Sequence, residues 1–235
     1  MFGSFDQRSN KLERLDTGDY TPQEYALWQA EAKLINRWLG DSRAVRLALS
    51  SPLKKLKGRV SIIDVGAGSG ELLRAAGLAA GQDRMAFLVG AELNADAARS
   101  IAANRTGSEM FAVQCDALRL PFADDCFDFA ISSLFMHHLT DEQAVTLIAE
   151  MARVSRRRFF VIDLHRHAAA YYLYRLFAPI LLQRFTVEDG SLSILRAFRP
   201  AELLELARTS GIVNACVTRR AAFRLVLSGS KPSSD

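Results

Sequence analysis

Three glycines at alternate positions follow an apolar run and an acid in the stretch SIIDVGAGSGELL, residues 61–73. Glycines allow positive φ angles and a close backbone approach to a ligand that side chains would block. The dinucleotide-binding pattern G-x-G-x-x-G would need its last glycine where this chain has Glu71. A pyrophosphate is therefore disfavoured, and the acid before the glycines, Asp64, favours a ligand that carries positive charge.

Further polar residues follow the apolar segments that come next along the chain. Glu92 ends one of them, Asp116 ends another and is followed by Ala117, and the pair Ser132 and Ser133 ends a third. A carboxylate can accept both hydroxyls of a ribose, and an acid can accept from an adenine amino group. Each acid alone is also typical of a helix cap or a surface charge, but their joint occurrence favours a nucleoside site.

All four histidines of the chain fall in two short stretches, after the fourth and fifth apolar segments. A base assists reaction at a phenolic hydroxyl or an acidic carbon. The candidate catalytic residues are His165, His137, His138 and Asp163, and His167 is a candidate substrate contact. Positioning alone also accelerates group transfer, so catalysis without a base stays open as an alternative.

Short apolar segments alternate with helical patterns through the middle of the chain. We predict strands over 60–65, 85–93, 109–116, 127–133 and 157–164, and helices over 71–80, 95–104 and 141–154. Such alternation is typical of an α/β doubly wound, mostly parallel sheet with helices on both faces. The carboxyl ends of its strands meet at one edge, which brings the polar residues together. Residues 212–220 and 221–227 should pair as a hairpin, which makes the last strand antiparallel.

The flanks of this pattern predict an N-terminal helical cap and a helical lid. We expect an arm and cap helices over 1–57, with a mobile arm at 1–20, an α/β domain over 58–228 with a lid insertion at 165–199, and a disordered tail over 229–235. Thr21 and Glu24 predict a capping box for a helix that ends at Gly40. In the lid, we expect a kink at Pro179 and a polar turn at 188–191.

Two segments should cover the site, the first cap helix and the apolar, aromatic stretch 167–185. Their candidate substrate contacts are Asn36, Arg37, Trp38, Tyr171 and Tyr174. The aromatic residues either pack the lid on the core or line an apolar pocket. Charges interrupt the apolar stretch, so we expect no membrane span, while weak peripheral docking on a bilayer stays open.

The composition of the 235 residues is that of a globular protein, with 49% hydrophobic and 24% charged residues. The net charge of +4 is scattered, and the densest basic group, within 153–158, reads as the solvated end of a helix, so we expect no nucleic-acid partner. Three cysteines without C-x-x-C spacing predict neither a disulfide framework nor a metal site. The polar amino terminus lacks the apolar core of a signal peptide, and a cytoplasmic protein is expected.

Taken together, the glycine loop and the strand-end residues resemble the class I S-adenosylmethionine-dependent methyltransferases over residues 58–164. The resemblance implies S-adenosylmethionine as cofactor and a seven-stranded sheet with a reversed last strand. It also implies contacts to the methionine part, the ribose, the adenine and the sulfonium end of the cofactor. In that order, the residues are Asp64, Gly66, Ala67, Gly68 and Gly70, then Glu92 and Leu93, then Asp116 and Ala117, and last Ser132 and Ser133.

A narrower resemblance concerns the acceptor of the methyl group. The stretch SSLFMHHLTDEQAVTLIAEMARVSRRRFFVIDL resembles the bacterial small-molecule branch that includes ubiquinone and menaquinone biosynthesis enzymes. The stretches LERLD, INRWLG and DGSLSILRAFRPAEL resemble a subgroup associated with polyketide-type gene clusters in secondary metabolism. The resemblance implies a small aromatic or polyketide- or quinone-like acceptor, O-methylation rather than C-methylation, and a monomer or homodimer.

Three other functions stay open at this point. An RNA- or DNA-modifying methyltransferase is disfavoured because the fourth strand is not followed by [DNS]-P-P-[YFW]. A non-catalytic S-adenosylmethionine-binding protein would carry the same cofactor residues. A nicotinamide-dependent oxidoreductase is the least favoured, because Glu71 stands where the last fingerprint glycine belongs.

Overall fold

The computed structural model describes residues 5–81, 85–103 and 109–231. The helices in these ranges are α1 (Arg14–Thr17), α2 (Pro22–Leu39), α3 (Asp41–Lys54), α4 (Glu71–Ala80), α5 (Ala95–Ala103), α6 (Asp141–Val154), α7 (Ala168–Leu181), α8 (Arg184–Arg196) and α9 (Pro200–Thr209), with a 3₁₀ turn at Met136–His138. The strands are β1 (Val60–Val65), β2 (Ala86–Glu92), β3 (Glu109–Gln114), β4 (Phe127–Ser133), β5 (Ser155–Leu164), β6 (Cys216–Arg220) and β7 (Arg224–Gly229).

These strands form one seven-stranded sheet in the order β3-β2-β1-β4-β5-β7-β6. The five strands from β3 to β5 pair in parallel, and β7 is antiparallel to both of its neighbours. The predicted fold class, with its antiparallel last strand, is therefore confirmed. The strand order reverses between β1 and β4, and ligands of such sheets bind in the crevice at that point.

Helices cover both faces of the sheet because the strands are apolar on both sides. Successive side chains of a strand point to opposite faces. Ile63 of β1 lies in a core cluster with Leu147 of α6, whereas its neighbour Ile62 lies in a second cluster with Leu49 of α3 and Leu73 of α4. Both faces of β1 are thus buried, which holds the loop that follows it in a fixed position.

The N-terminal segment differs from the expected mobile arm, because its described residues pack against the lid and the 3₁₀ turn. Arg8 forms an ion pair with Asp141 and donates to the carbonyl of Leu139 at 3.0 Å. The backbone N–H groups of Arg14 and Leu15 both donate to the carboxylate of Asp189 in α8, at 2.9 Å each. Polar groups that would be solvated on a mobile arm are instead hydrogen-bonded to α6, α8 and the residue that follows the 3₁₀ turn.

The lid consists of α7 and α8, and the predicted polar turn at 188–191 is wrong, since those residues lie inside α8. Gly190 is needed there for close packing and not for a turn, because a Cβ at this position would lie 2.3 Å from the hydroxyl oxygen of Tyr174. Pro179 lies in the last turns of α7. None of the helices in the described ranges is long and apolar enough to cross a bilayer.

The start of the predicted tail is also ordered, because Gly229 still belongs to β7. Ser230 then donates its backbone N–H to the side chain of Asn214 at 3.1 Å, and Lys231 forms an ion pair with Asp125. The rest of the tail, 232–235, lies outside the described residues.

One buried ion pair ties the cap helices to the sheet, and its loss should destabilise the protein. Arg224 of β7 donates to both carboxylate oxygens of Asp41 in α3, at 2.5 and 3.1 Å, and both side chains are buried. Asp41→Ala leaves a buried guanidinium without its partner, so we expect a loss of about 3–5 kcal/mol in the free energy of unfolding. Urea denaturation measures it, with the exposed Glu205→Ala as control, expected within about 0.5 kcal/mol of wild type. Equal, small losses in both variants would contradict the assigned role.

Candidate functional site

The glycine loop turns sharply where β1 ends, and neighbouring residues fix its start. The N–H groups of Gly66 and Ala67 both donate to the carbonyl of Ala91 in β2, at 2.9 and 3.2 Å. Gly66 has a φ of +72°, and a Cβ there would lie 2.5 Å from the ring of Phe135. The loop is therefore packed between β2 and the segment after β4, and a side chain at position 66 has no room.

Gly68 differs from Gly66, because it faces open space. Its φ is +52°, and no atom would lie within 4 Å of a Cβ built there. Its N–H donates to Oε2 of Glu92 at 2.9 Å, and the other oxygen of that carboxylate accepts from the N–H of Asn94 at 3.0 Å. The loop and Glu92 thus form one concave surface, named here the glycine wall. Its backbone at Gly68 is accessible to a ligand.

Buried polar atoms without partners mark the floor of this wall. Four buried side-chain atoms of the described residues lack a hydrogen-bond partner, and three of them belong to Asp64, Ser132 and Ser133. Burial, together with the nearby charge of Glu92, raises the pKa of Asp64 to about 8. Buried polar groups are normally paired, so this floor fits a ligand that brings a positive charge and hydrogen-bonding groups.

The remaining predicted cofactor residues surround the wall without lining it as closely. Gly70 begins α4 with a φ of +76°. Asp116 is exposed and accepts from the N–H of Leu118 at 2.8 Å, which leaves its carboxylate accessible at the end of β3. Ala117 is half-buried and Leu93 is largely exposed.

A cavity of about 840 Å³, named here the acceptor cavity, opens from the wall towards α2 and the lid. Its lining includes Gly66, Gly68, Glu92, Phe135, His137, His138 and His165, and three of the candidate substrate residues, Asn36, Trp38 and Tyr174. Arg37 and Tyr171 are not part of its lining, and Tyr171 packs edge-to-face on Phe5 instead. The hydroxyl of Tyr174 is engaged, since it donates to the carbonyl of Thr186 at 2.8 Å.

One buried pair of side chains, His137 and Asp163, fixes the part of the cavity wall that the histidine pair lines. Asp163 accepts at 2.7 Å from Nδ1 of His137, at 3.0 Å from the backbone N–H of His137, and at 2.7 Å from that of Leu164. Burial raises the pKa of Asp163, but the charge of His137 and these hydrogen bonds outweigh it and hold the pKa below its usual value. Asp163 therefore positions His137, and its carboxylate does not itself face the cavity, contrary to the expected catalytic contact.

The N-terminal segment contributes two acids to the same wall, which sequence reasoning missed. Glu13 is buried beside the two histidines, and burial raises its pKa to about 7. Asp16 accepts at 2.9 Å from Nδ1 of His138; burial raises the pKa of Asp16, but the His138 contacts and Arg196 lower it to about 2. The acids of LERLD, three residues apart, were the one signal in the chain that pointed to this pair.

A buried arginine fixes the 3₁₀ turn that carries both histidines. Arg196 donates to the carbonyls of His137 and His138, at 3.1 and 2.6 Å, and to the carboxylate of Asp16 at 2.6 Å. Its guanidinium thus joins the lid, the turn and the N-terminal segment. Arg196 thus fixes the backbone of the turn, while Asp163 and Asp16 fix the two imidazole rings.

The other two histidines lie beside a different, basic cavity. His165 and His167 line it together with Arg199, Arg219 and Arg220, and His165 lines the acceptor cavity as well. Burial and the nearby cations, His167 first, lower the pKa of His165. His167 caps α7, since its Nδ1 accepts from the N–H of Ala169 at 3.1 Å. The structure therefore separates the four histidines into two pairs.

Comparison with known proteins identifies the central segment. Residues 62–158, which carry the glycine loop and the first pair of histidines, match the family described as methyltransferase domain. This part of the chain is therefore similar to a methyltransferase domain. Two of the solved structures described next contain bound S-adenosylhomocysteine. A comparison with curated proteins gave no match.

Solved structures of methyltransferases share the whole fold. A chain from the complex of the Haloferax volcanii Trm112 methyltransferase activator with a methyltransferase has a TM-score of 0.64 at 16% identity, covering 91% of this chain and 99% of that one. The 1,6-didemethyltoxoflavin-N1-methyltransferase of Burkholderia thailandensis has a TM-score of 0.57 at 18% identity, covering 91% and 92%. The magnesium protoporphyrin IX methyltransferase of Synechocystis has a TM-score of 0.56 at 16% identity, covering 83% of each chain. At these identities the likeness concerns the fold.

The open space at Gly68 generates a prediction about cofactor binding. Gly68→Val fills that space and strains the backbone at positive φ, so we expect the affinity for S-adenosylmethionine to fall at least 10-fold, measured by calorimetry. Gly58→Val is the matched control, since that glycine also has a positive φ and open space but lies before β1. Equal affinities in the two variants would contradict the assignment of the loop.

The raised pKa of Asp64 generates a prediction about stability. A carboxyl whose pKa is higher in the folded protein than in the unfolded chain stabilises the fold at low pH, and this contribution is lost as the pH rises towards 8. In Asp64→Asn the free energy of unfolding should therefore fall less steeply with pH between 5 and 8, by up to about 1.4 kcal/mol per pH unit. Urea denaturation at four pH values measures the slope, with the exposed Asp96→Asn as control. A slope like that of wild type in Asp64→Asn would show that this carboxyl is ionised throughout.

Proposed function

We propose that the protein transfers the methyl group of S-adenosylmethionine to an oxygen of a small aromatic or polyketide- or quinone-like acceptor. The observation that carries the proposal is the acceptor cavity. Its lining combines Gly66, Gly68 and Glu92 of the glycine loop and β2 with His137 and His138. Cofactor and acceptor would therefore meet between the glycine loop and the histidines.

The residues of the glycine wall fit the cofactor by their chemistry. Asp64 would face the cationic amino-acid part, Glu92 would accept from the ribose hydroxyls, and the unpartnered hydroxyls of Ser132 and Ser133 would lie towards the sulfonium end. Asp116 and Ala117 would lie at the adenine. When bound, S-adenosylmethionine supplies an electrophilic methyl group on its sulfonium sulfur.

The walls of the acceptor cavity favour an apolar, flat acceptor. Its lining includes the aromatic rings of Trp28, Trp38, Phe135 and Phe177, and its volume of about 840 Å³ lies within the range of drug-sized ligand pockets. Residues of α2 and of the lid line it together with the glycine loop, and an acceptor bound between them would exclude water from the reacting atoms. Two of the similar structures are methyltransferases named for ring-containing small molecules, a toxoflavin precursor and magnesium protoporphyrin IX. These names support a small-molecule acceptor of this class.

His137 is the residue through which the protein would act on the acceptor oxygen. The bond from its Nδ1 to Asp163 leaves Nε2 as the nitrogen available to a ligand. His137 and the adjoining His138 would assist the loss of the hydroxyl proton before methyl transfer. Asp163 is a positioning residue in this account, and His165, at the edge of the cavity, is the alternative group.

A nucleic-acid substrate is not favoured by the placement of the basic residues. Arg153 is bonded to Glu150 and Asp124, and Arg157 is bonded to Asp128. These arginines lie at the end of α6 and the start of β5, and that end of the sheet is opposite to the glycine loop.

The three free cysteines are in keeping with the proposed cytoplasmic location.

Turnover tests the assignment of His137. A screen with labelled S-adenosylmethionine against phenols, alkylresorcinols, pyrones and quinone precursors, with tRNA as control, should label a small acceptor. His137→Gln should then lower kcat roughly 10²–10⁴-fold, the usual contribution of a proton-transfer group, with little change in cofactor affinity. Asp163→Asn should lower kcat while leaving the acceptor KM nearly unchanged, and His165→Gln should retain most of the turnover. Full turnover in His137→Gln would remove this residue from the mechanism.

A further inference from the structure

Three potential metal ligands lie together in the lining of the acceptor cavity. Glu13, His137 and His138 each offer a ligand atom, and these atoms all lie within 4.8 Å of one another. We propose that these three side chains bind one divalent transition-metal ion and that this ion binds the acceptor oxygen. The inference rests on the proposed function, because it assigns the cluster to the acceptor end of that site.

The orientation of the two imidazole rings is the first support. Nδ1 of His137 is bonded to Asp163 at 2.7 Å, and Nδ1 of His138 is bonded to Asp16 at 2.9 Å. Histidines that ligate metals almost always hold their second ring nitrogen on a carboxylate, a carbonyl or a water. Both rings of this pair are held on carboxylates, which leaves both Nε2 atoms for one ion.

The type and number of the ligands are the second support. Two imidazoles and one carboxylate form the set that binds iron, manganese, cobalt or zinc while leaving coordination positions open. Glu13, His137 and His138 all line the acceptor cavity, so the open positions would face the acceptor. The cysteine spacing predicted no metal site, and these ligands leave no local pattern because they come from two distant parts of the chain.

The charge balance of the wall is the third support. Three carboxylates, those of Glu13, Asp16 and Asp163, lie in or next to the cluster; those of Glu13 and Asp163 are buried, and that of Asp16 is partly exposed. The guanidinium of Arg196 is the one cation that contacts these acids directly among the described residues, since the charge of Arg8 is paired with Asp141. Buried charges need partners, and a divalent cation would balance the excess of negative charge.

The backbone around the cluster is rigid enough to keep the ligands in place. Arg196 donates to the carbonyls of both histidines, and α8 holds the start of α1 through Asp189. Ser193 donates to Glu13 at 2.9 Å, which fixes that carboxylate. With both Nε2 atoms on the ion, the two histidines would act as ligands and the cation would replace them as the group that promotes ionisation. It would lower the pKa of a coordinated hydroxyl, and the released proton would pass to water.

Cobalt binding to the full chain tests the inference directly. Protein freed of metals by a chelator should bind one Co²⁺ per chain, and the d–d absorption of the bound ion reports the site. The affinity should fall at least 10-fold in Glu13→Gln and in His138→Gln, and roughly 10–100-fold in Asp16→Asn, which removes a carboxylate behind a ligand. Two matched controls, Glu188→Gln and His167→Gln, lie outside the cluster and should bind as wild type does.

Unchanged affinity in Glu13→Gln and His138→Gln, or no binding of Co²⁺ by wild type at 1 mM (about the weakest affinity such an assay resolves), would overturn the inference. Should the variants fail to fold, the wild-type protein with ¹⁵N-labelled histidine decides. Mn²⁺ should broaden the signals of two of the four histidines, and equal effects on all four would contradict the site. Methyl transfer that persists in the chelated protein would overturn the metal inference alone, whereas failure to bind S-adenosylmethionine would overturn the proposed function.

Discussion

A buried carboxylate at the end of β5 is the constraint on which the rest of the site depends. Asp163 is fully buried, and a charge in that position is tolerated only when it is paired and hydrogen-bonded. The pairing comes from the ring and backbone of His137 and from the backbone of Leu164. Because His137 must pair with Asp163, the 3₁₀ turn lies at the carboxyl edge of the sheet. The same hydrogen bonds set the orientation of the His137 ring.

The same turn explains why the N-terminal segment belongs to the site. The carbonyls of the turn point away from the sheet and accept from Arg8 and Arg196. These two guanidiniums need carboxylates, which Asp141 and Asp16 supply. A chain of charge pairs thus runs from the lid through the turn to the first helix. The lining of the cavity thus combines the N-terminal segment, the turn and the lid, and residues 62–158 alone would lack Glu13.

The sequence predicted the sheet well because strands buried on both faces are apolar throughout, and such runs are distinct from helical patterns. It also placed Asp64, Glu92 and the serines at one edge, since the ends of parallel strands must meet there. The prediction was wrong for the polar residues of the lid. Asp189 and Gly190 are typical of a turn, but they lie in a helix, where Asp189 accepts from the N-terminal backbone and Gly190 packs against Tyr174. Pairing over more than a hundred residues, as between Asp16 and His138, leaves no local pattern.

The central claim is that the cofactor and the acceptor meet between the glycine wall and the His137 wall of one cavity. A crystal structure of the full chain with S-adenosylhomocysteine tests this most directly. The account predicts that Glu92 accepts from the ribose hydroxyls and that the sulfur faces the acceptor cavity on the side of His137. A nucleoside bound elsewhere, for example among the arginines around His167, or a sulfur directed away from the cavity, would contradict the account.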